Sequence, residues 1–111
     1  MAPTLRQLMA DYLAEREESV GQETFERIAN VCRRLLESLE AQGVTEAAAL
    51  DVEHVSAFLY STAAESSDVF STVKSFVKWL GRRKYAKRLS AEFAECECVL
   101  RDALKARASG R

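Results

Sequence analysis

Ser71, Lys74, Ser75, Lys78 and Arg82 recur at three- and four-residue steps, so on one α-helix they share a face made only of small hydroxyls and cations. That combination suits the chemistry of a polyanion. Lysine and arginine displace counterions from phosphates, and a serine lets the helix backbone come close while donating its own hydrogen bond. Directly beyond, Arg83, Lys84, Lys87 and Arg88 crowd the end of the same segment, with Tyr85 among them, and "KSFVKWLGRRKYAKR" (74–88) holds seven basic residues and no acid. The rest of the chain makes this concentration informative. Residues 1–68 carry five Lys/Arg against thirteen Asp/Glu, 69–91 carry seven against none, and 92–111 carry four against four, so the formal net charge of −1 conceals one positive patch.

Other chemistries find little support. His54 is the sole histidine, and no GxSxG, HExxH, phosphate loop or GxGxxG occurs. The pairs Glu17/Glu18 and Glu37/Glu40 fall on exposed helix faces, and His54 reads as a capping-turn residue beside Asp51. Cys32, Cys96 and Cys98 show no CxxC or metal-ligand spacing, and they read as reduced thiols, Cys32 and Cys96 in the core and Cys98 at the surface. No enzyme activity, metal or cofactor is expected. Neither a membrane span nor a signal peptide is evident, which predicts a cytoplasmic protein.

The elements that must position the basic face follow from apolar spacing. At 111 residues the chain fits one domain spanning 1–111. One proline, at position 3, and four glycines interrupt it, and three- and four-residue periodicity predicts five helices, at about 5–18, 22–42, 52–62, 68–82 and 91–107. Thr4, Asp51 and Ser90 are the expected N-caps of the first, third and fifth, and Gly43 the left-handed stop of the second. Val69, Val73, Phe76, Val77 and Leu80 form the inward stripe of the fourth, with Trp79 in the core or at its edge. Residues 44–50 read as an ordered loop, 61–68 as a polar connection and 106–111 as a frayed tail. Each helix has one apolar stripe, so the fold class is all-α, a single compact bundle of four to five helices.

The stretches "TLRQLMADYLAER", "ETFERIANVCRRLLESLEAQG", "LDVEHVSAFLYS" and "SDVFSTVKSFVKWLGRRK" resemble the N-terminal core-binding (SAM-like) domain of tyrosine recombinases and phage integrases over about residues 4–88. Thr24 and Gly43 open and end the long second helix. Val55, Phe58 and Leu59 fill the third-helix pattern, and Val73, Phe76, Trp79 and Leu80 the fourth. The absence of an "NP" dipeptide after the fourth helix and the presence of a fifth helix look like the Cre-type branch. The resemblance implies a half-clamp on double-stranded DNA, with Thr24, Arg27 and Arg34 of the second helix and Ser71, Lys74, Ser75 and Lys78 of the fourth facing the duplex. It also implies self-association through the fifth helix, and no membrane or small-molecule partner. The recombinase family's catalytic Arg, Lys, H-x-x-R and Tyr belong to a separate domain, and no H-x-x-R follows His54. A helical protein-docking or regulatory module, with the acidic 1–68 region or the fifth helix as its contact and the basic stretch as a solvated rim, is the alternative.

Overall fold

Thr4 starts the first helix as expected, since its hydroxyl accepts from the Gln7 amide while the Gln7 side chain accepts from the Thr4 amide. In the computed structural model, which describes residues 3–62 and 67–109, this opens α1 (Leu5–Ser19), followed by α2 (Gln22–Ala41), a short 3₁₀ turn (Ala47–Ala49), α3 (Val52–Ser61), α4 (Ser67–Arg82) and α5 (Lys87–Ser109). The architecture is an all-α bundle of five helices. Among the described residues the sole β-type pairing is the bridge between Thr4 and Glu46, where the Leu5 amide donates to the Thr45 carbonyl at 2.8 Å and ties the 44–50 loop to the start of α1. Val44, Ala47 and Leu50 are buried, so this loop is part of the core.

Gly43 ends α2 with φ of 82°, and the Val44 amide reaches the Leu39 carbonyl while the Gly43 amide reaches Glu40. That pair of bonds is a Schellman motif. Asp51 caps α3, and His54 answers it: the Asp51 amide donates to His54 Nδ1 at 3.0 Å. The histidine is thereby engaged in a capping box.

The core gathers one stripe from every helix. Leu8, Met9 and Tyr12 of α1, Cys32, Leu35 and Leu39 of α2, Val55, Phe58 and Leu59 of α3, Val73, Phe76, Val77 and Leu80 of α4, and Leu89, Phe93 and Leu100 of α5 are all buried. Burial pushes the Cys32 thiol up to about 12, whereas Cys98 is exposed. Cys96, expected in the core, is half-buried. Tyr12 sits edge-on to both Phe76 and Trp79, with ring centroids 5.2 and 5.6 Å away, which pins α1 against α4. The radius of gyration, 13.5 Å, is that of a compact domain of this length.

Two boundaries differ from expectation. α5 begins at Lys87, one turn before Ser90, because Ala86 and Leu89 are drawn into the core and nucleate the helix earlier. Ser90 is then no cap but a packing residue against Gly81. The C-terminal segment read as frayed from 106 is helical through Ser109, while residues 63–66 of the polar connection, Gly110 and Arg111 lie outside the described residues. Among the described residues no helix is long and apolar enough to cross a membrane.

Candidate nucleic-acid interface

α4 is amphipathic, so one side fills the core, but helices packed on both flanks narrow what remains for solvent. α5 covers one flank, and α1 with α2 approaches the other. Ser71, Lys78 and Arg82 remain exposed between them.

On the α5 flank, Lys74 is turned away from solvent. Its Nζ lies 2.7 Å from Glu97 Oε2, and the same oxygen accepts from Arg101 Nη2 at 2.8 Å. The expectation that Lys74 belongs to an open cationic face is therefore corrected: its side chain is only 28% exposed, and a carboxylate from the next helix neutralises it. The Lys74 ammonium bonded to Glu97 holds that carboxyl below its ordinary value, with Arg101 and Lys78 adding to the effect. A lowered carboxylate pKa stabilises the fold above the ordinary carboxylate range, and that stabilisation disappears as pH falls through the lowered value. Glu97→Gln should accordingly melt a few degrees below the wild type at pH 7, and the difference should shrink as pH falls below the ordinary carboxylate range, as read in thermal melts.

On the other flank, the Tyr12 hydroxyl donates to Ser75 Oγ at 2.9 Å. Burial raises the Tyr12 pKa, and the Ser75 hydrogen bond partly offsets it. Below this pair opens a cleft of about 240 Å³ whose walls include Arg16 of α1, Thr24, Arg27 and Ile28 of α2, and Ser71, Thr72 and Ser75 of α4. Arg27 Nη1 lies 3.7 Å from Asp68 Oδ2, with both side chains 65% exposed. Four of the residues expected to face a duplex, Thr24, Arg27, Ser71 and Ser75, thus meet in one cleft. Arg34 of α2 is half-buried and is not among the residues lining it.

At the end of α4 the basic residues divide. Arg83 is paired with Glu15 of α1, lies 5.0 Å over the Trp79 ring, and shares Glu15 with the Trp79 indole N–H. Its charge is committed to holding α1 and α4 together. Arg88 reaches Glu92 one turn on, at 3.1 Å. Lys78, Arg82, Lys84 and Lys87 are exposed and carry no ion pair among the described residues. Lys87 and Arg88 stand in the first turn of α5, where cations are disfavoured by the helix dipole.

Lys84 has φ of 65°. It occupies the left-handed position of a second Schellman motif, with the Tyr85 amide on the Leu80 carbonyl and the Lys84 amide on Gly81. A lysine in this region is strained by roughly 1 kcal/mol relative to glycine. Lys84→Gly should raise stability by no more than about 0.5 kcal/mol, read as a higher midpoint in urea at unchanged slope, because part of the relieved strain is lost to glycine's greater freedom in the unfolded chain.

Two contributors escape a reading of the sequence. Arg16 is four residues past Tyr12, on the flank of the α1 stripe, and that spacing was the available signal. Thr72 adjoins Ser71 but points to the cleft only because α2 packs where it does. Among the described residues no group of His, Cys, Asp and Glu is arranged to hold a metal. The chain matches no family model, no curated protein and no solved structure.

Proposed function

We propose that this chain is a duplex-DNA-binding helical domain of the tyrosine-recombinase core-binding kind, acting as half of a clamp and carrying no catalytic step of its own. The observation that carries the reading is the exposed, unpaired set Lys78, Arg82, Lys84 and Lys87, which continues along the chain from a cleft lined by Thr24, Ser71 and Ser75, three of the hydroxyl residues named by the resemblance. Lys84 adds support. A charged side chain is kept where the backbone favours glycine, and strain of that sort concentrates at functional sites. The surrounding acids confine the contact: Glu15, Asp68, Glu92 and Glu97 border the ridge, so a polyanion finds a narrow strip instead of a broad basic surface. A strip of this size gives dissociation constants of about 10⁻⁴ to 10⁻⁶ M at physiological salt. Titration of a labelled duplex at about 50 and 200 mM salt tests it; affinity independent of salt would refute it.

A second reading, a protein-docking module, is favoured by the neutralisation of Lys74, Arg83 and Arg88 and by Val99, which is 72% exposed on the outer side of α5. The inner side of α5 supplies Leu89, Phe93 and Leu100 to the core, so self-association concerns only its outer side. Sedimentation of the wild type against Val99→Glu tests whether the outer side of α5 mediates self-association, and the salt dependence of duplex binding separates the two readings.

A further inference from the structure

Arg16 is half-buried, and its Nε is sealed from solvent with no hydrogen-bond acceptor. Buried donors are nearly always satisfied, so Arg16 is a guanidinium still lacking an acceptor, and its Nε must turn outward to meet one in the cleft. The surroundings define that acceptor's charge. Arg16 forms no ion pair among the described residues, and the cleft it lines brings a second guanidinium, Arg27, from α2. From α4 come the hydroxyls of Ser71, Thr72 and Ser75, with Thr24 opposite. Ser75 Oγ already accepts the Tyr12 proton, which leaves the Ser75 proton available to donate into the cleft. The one carboxylate on the wall, Asp68, lies 3.7 Å from Arg27 with both partners largely in water, so that pair is loose and can open.

Two guanidiniums and several hydroxyl donors converging on 240 Å³ are complementary to a tetrahedral oxyanion, for which arginine's fork supplies paired donors. The geometry points to this cleft as the seat of a single phosphate group, held by Arg16 and Arg27 and by the hydroxyls of α4. The inference deepens the duplex-binding proposal and rests on it for the source of the group, a backbone phosphodiester adjacent to Lys78. It adds a contact from α1, which neither the periodicity nor the resemblance assigns. Free phosphate offers the same chemistry, and the test separates the two.

The readout is the ¹⁵N resonance of the Arg16 Nε–H in the full chain, with the Ser71 and Ser75 amides. Sodium phosphate is titrated against sodium chloride at constant ionic strength, and a short duplex is titrated separately. A saturable phosphate shift in the millimolar range is expected, and the duplex should move the same resonances at lower concentration. Arg16→Gln should abolish the amide shifts and Arg16→Lys retain part of them. Arg27→Gln, at an exposed position that leaves the fold intact, should weaken phosphate at least threefold. A linear response identical to chloride, or an unchanged phosphate response in Arg27→Gln, overturns the seat. Duplex binding that leaves Arg16 unmoved overturns the backbone contact while the duplex proposal stands. Phosphate saturation without duplex binding keeps the seat, identifies free phosphate as its source and removes the duplex proposal instead.

Discussion

Reversing Lys78 and Arg82 together, as K78E/R82E, should weaken duplex binding by at least about 60-fold at 0.1 M salt and reduce the salt slope by about two. Each phosphate neutralised contributes roughly 0.9 decade of affinity per decade of salt, so two contacts supply about 1.8 decades at 0.1 M relative to a 1 M reference. Reversal adds repulsion to that loss. Both side chains are exposed and unpaired among the described residues, and stability should change by no more than about 0.5 kcal/mol. The paired residues should behave in the opposite sense. Arg83→Glu removes the partner of Glu15 and the cation over Trp79, so its main effect should be on the melting temperature. Lys74→Glu sets a like charge against Glu97 and should loosen α5 before it alters binding. Fluorescence anisotropy with a labelled duplex, beside thermal melts of the same proteins, checks the ordering. Wild-type affinity in K78E/R82E would remove this strip from the binding surface.

The separation between paired and unpaired cations is the part of the site that a linear reading could not supply. Apolar spacing places every helix, because each stripe needs only residues three or four apart and each cap needs only a local partner. Thr4 with Gln7, Asp51 with His54, and Gly43 with its left-handed φ are all settled within a few residues. The acids that answer the basic stretch come from far away. Glu15 meets Trp79 across 64 positions, and Glu97 reaches Lys74 from another helix. Counting acids along residues 69–91 finds none, although the fold brings carboxylates from α1 and α5 to its edges. The same distance hides Arg16, whose relation to Ser75 exists only because Tyr12 packs edge-on against Phe76 and Trp79.

α4 thus fills the core with one side and presents exposed cations on the other, and the two meet at its last turn. Gly81 reads in sequence as a breaker, yet it lies inside α4 with Leu80 fully buried beside it. The glycine permits α5 to enter closely enough for Ala86 and Leu89 to reach the core. Shape here controls where the exposed cations are presented.

Gly81→Ala is the direct test of that close approach. In an ordinary helix interior the change would stabilise by about 1 kcal/mol, since alanine has the higher helix propensity. At this position the new Cβ would stand 2.4 Å from Ser90 Oγ and 2.6 Å from Ser90 Cβ. The hydroxyl can rotate away, but Ser90 Cβ is fixed to the α5 backbone, so the two helices must part and disturb the packing of Leu80, Leu89 and Phe93. Overpacking of this kind costs about 1–3 kcal/mol, which exceeds the propensity gain over most of that range. The expected net is a destabilisation of up to about 2 kcal/mol, or up to roughly 10 °C in melting temperature for a domain of this size. Ser90→Gly alone should cost about 0.5–1 kcal/mol through helix propensity. Combining them as G81A/S90G removes the offending Cβ, restores the approach, and should return the melting temperature to within a few degrees of the wild type, giving a coupling of about 2 kcal/mol. Additive losses in the double variant would mean that contact between these two positions does not set the spacing of α4 and α5.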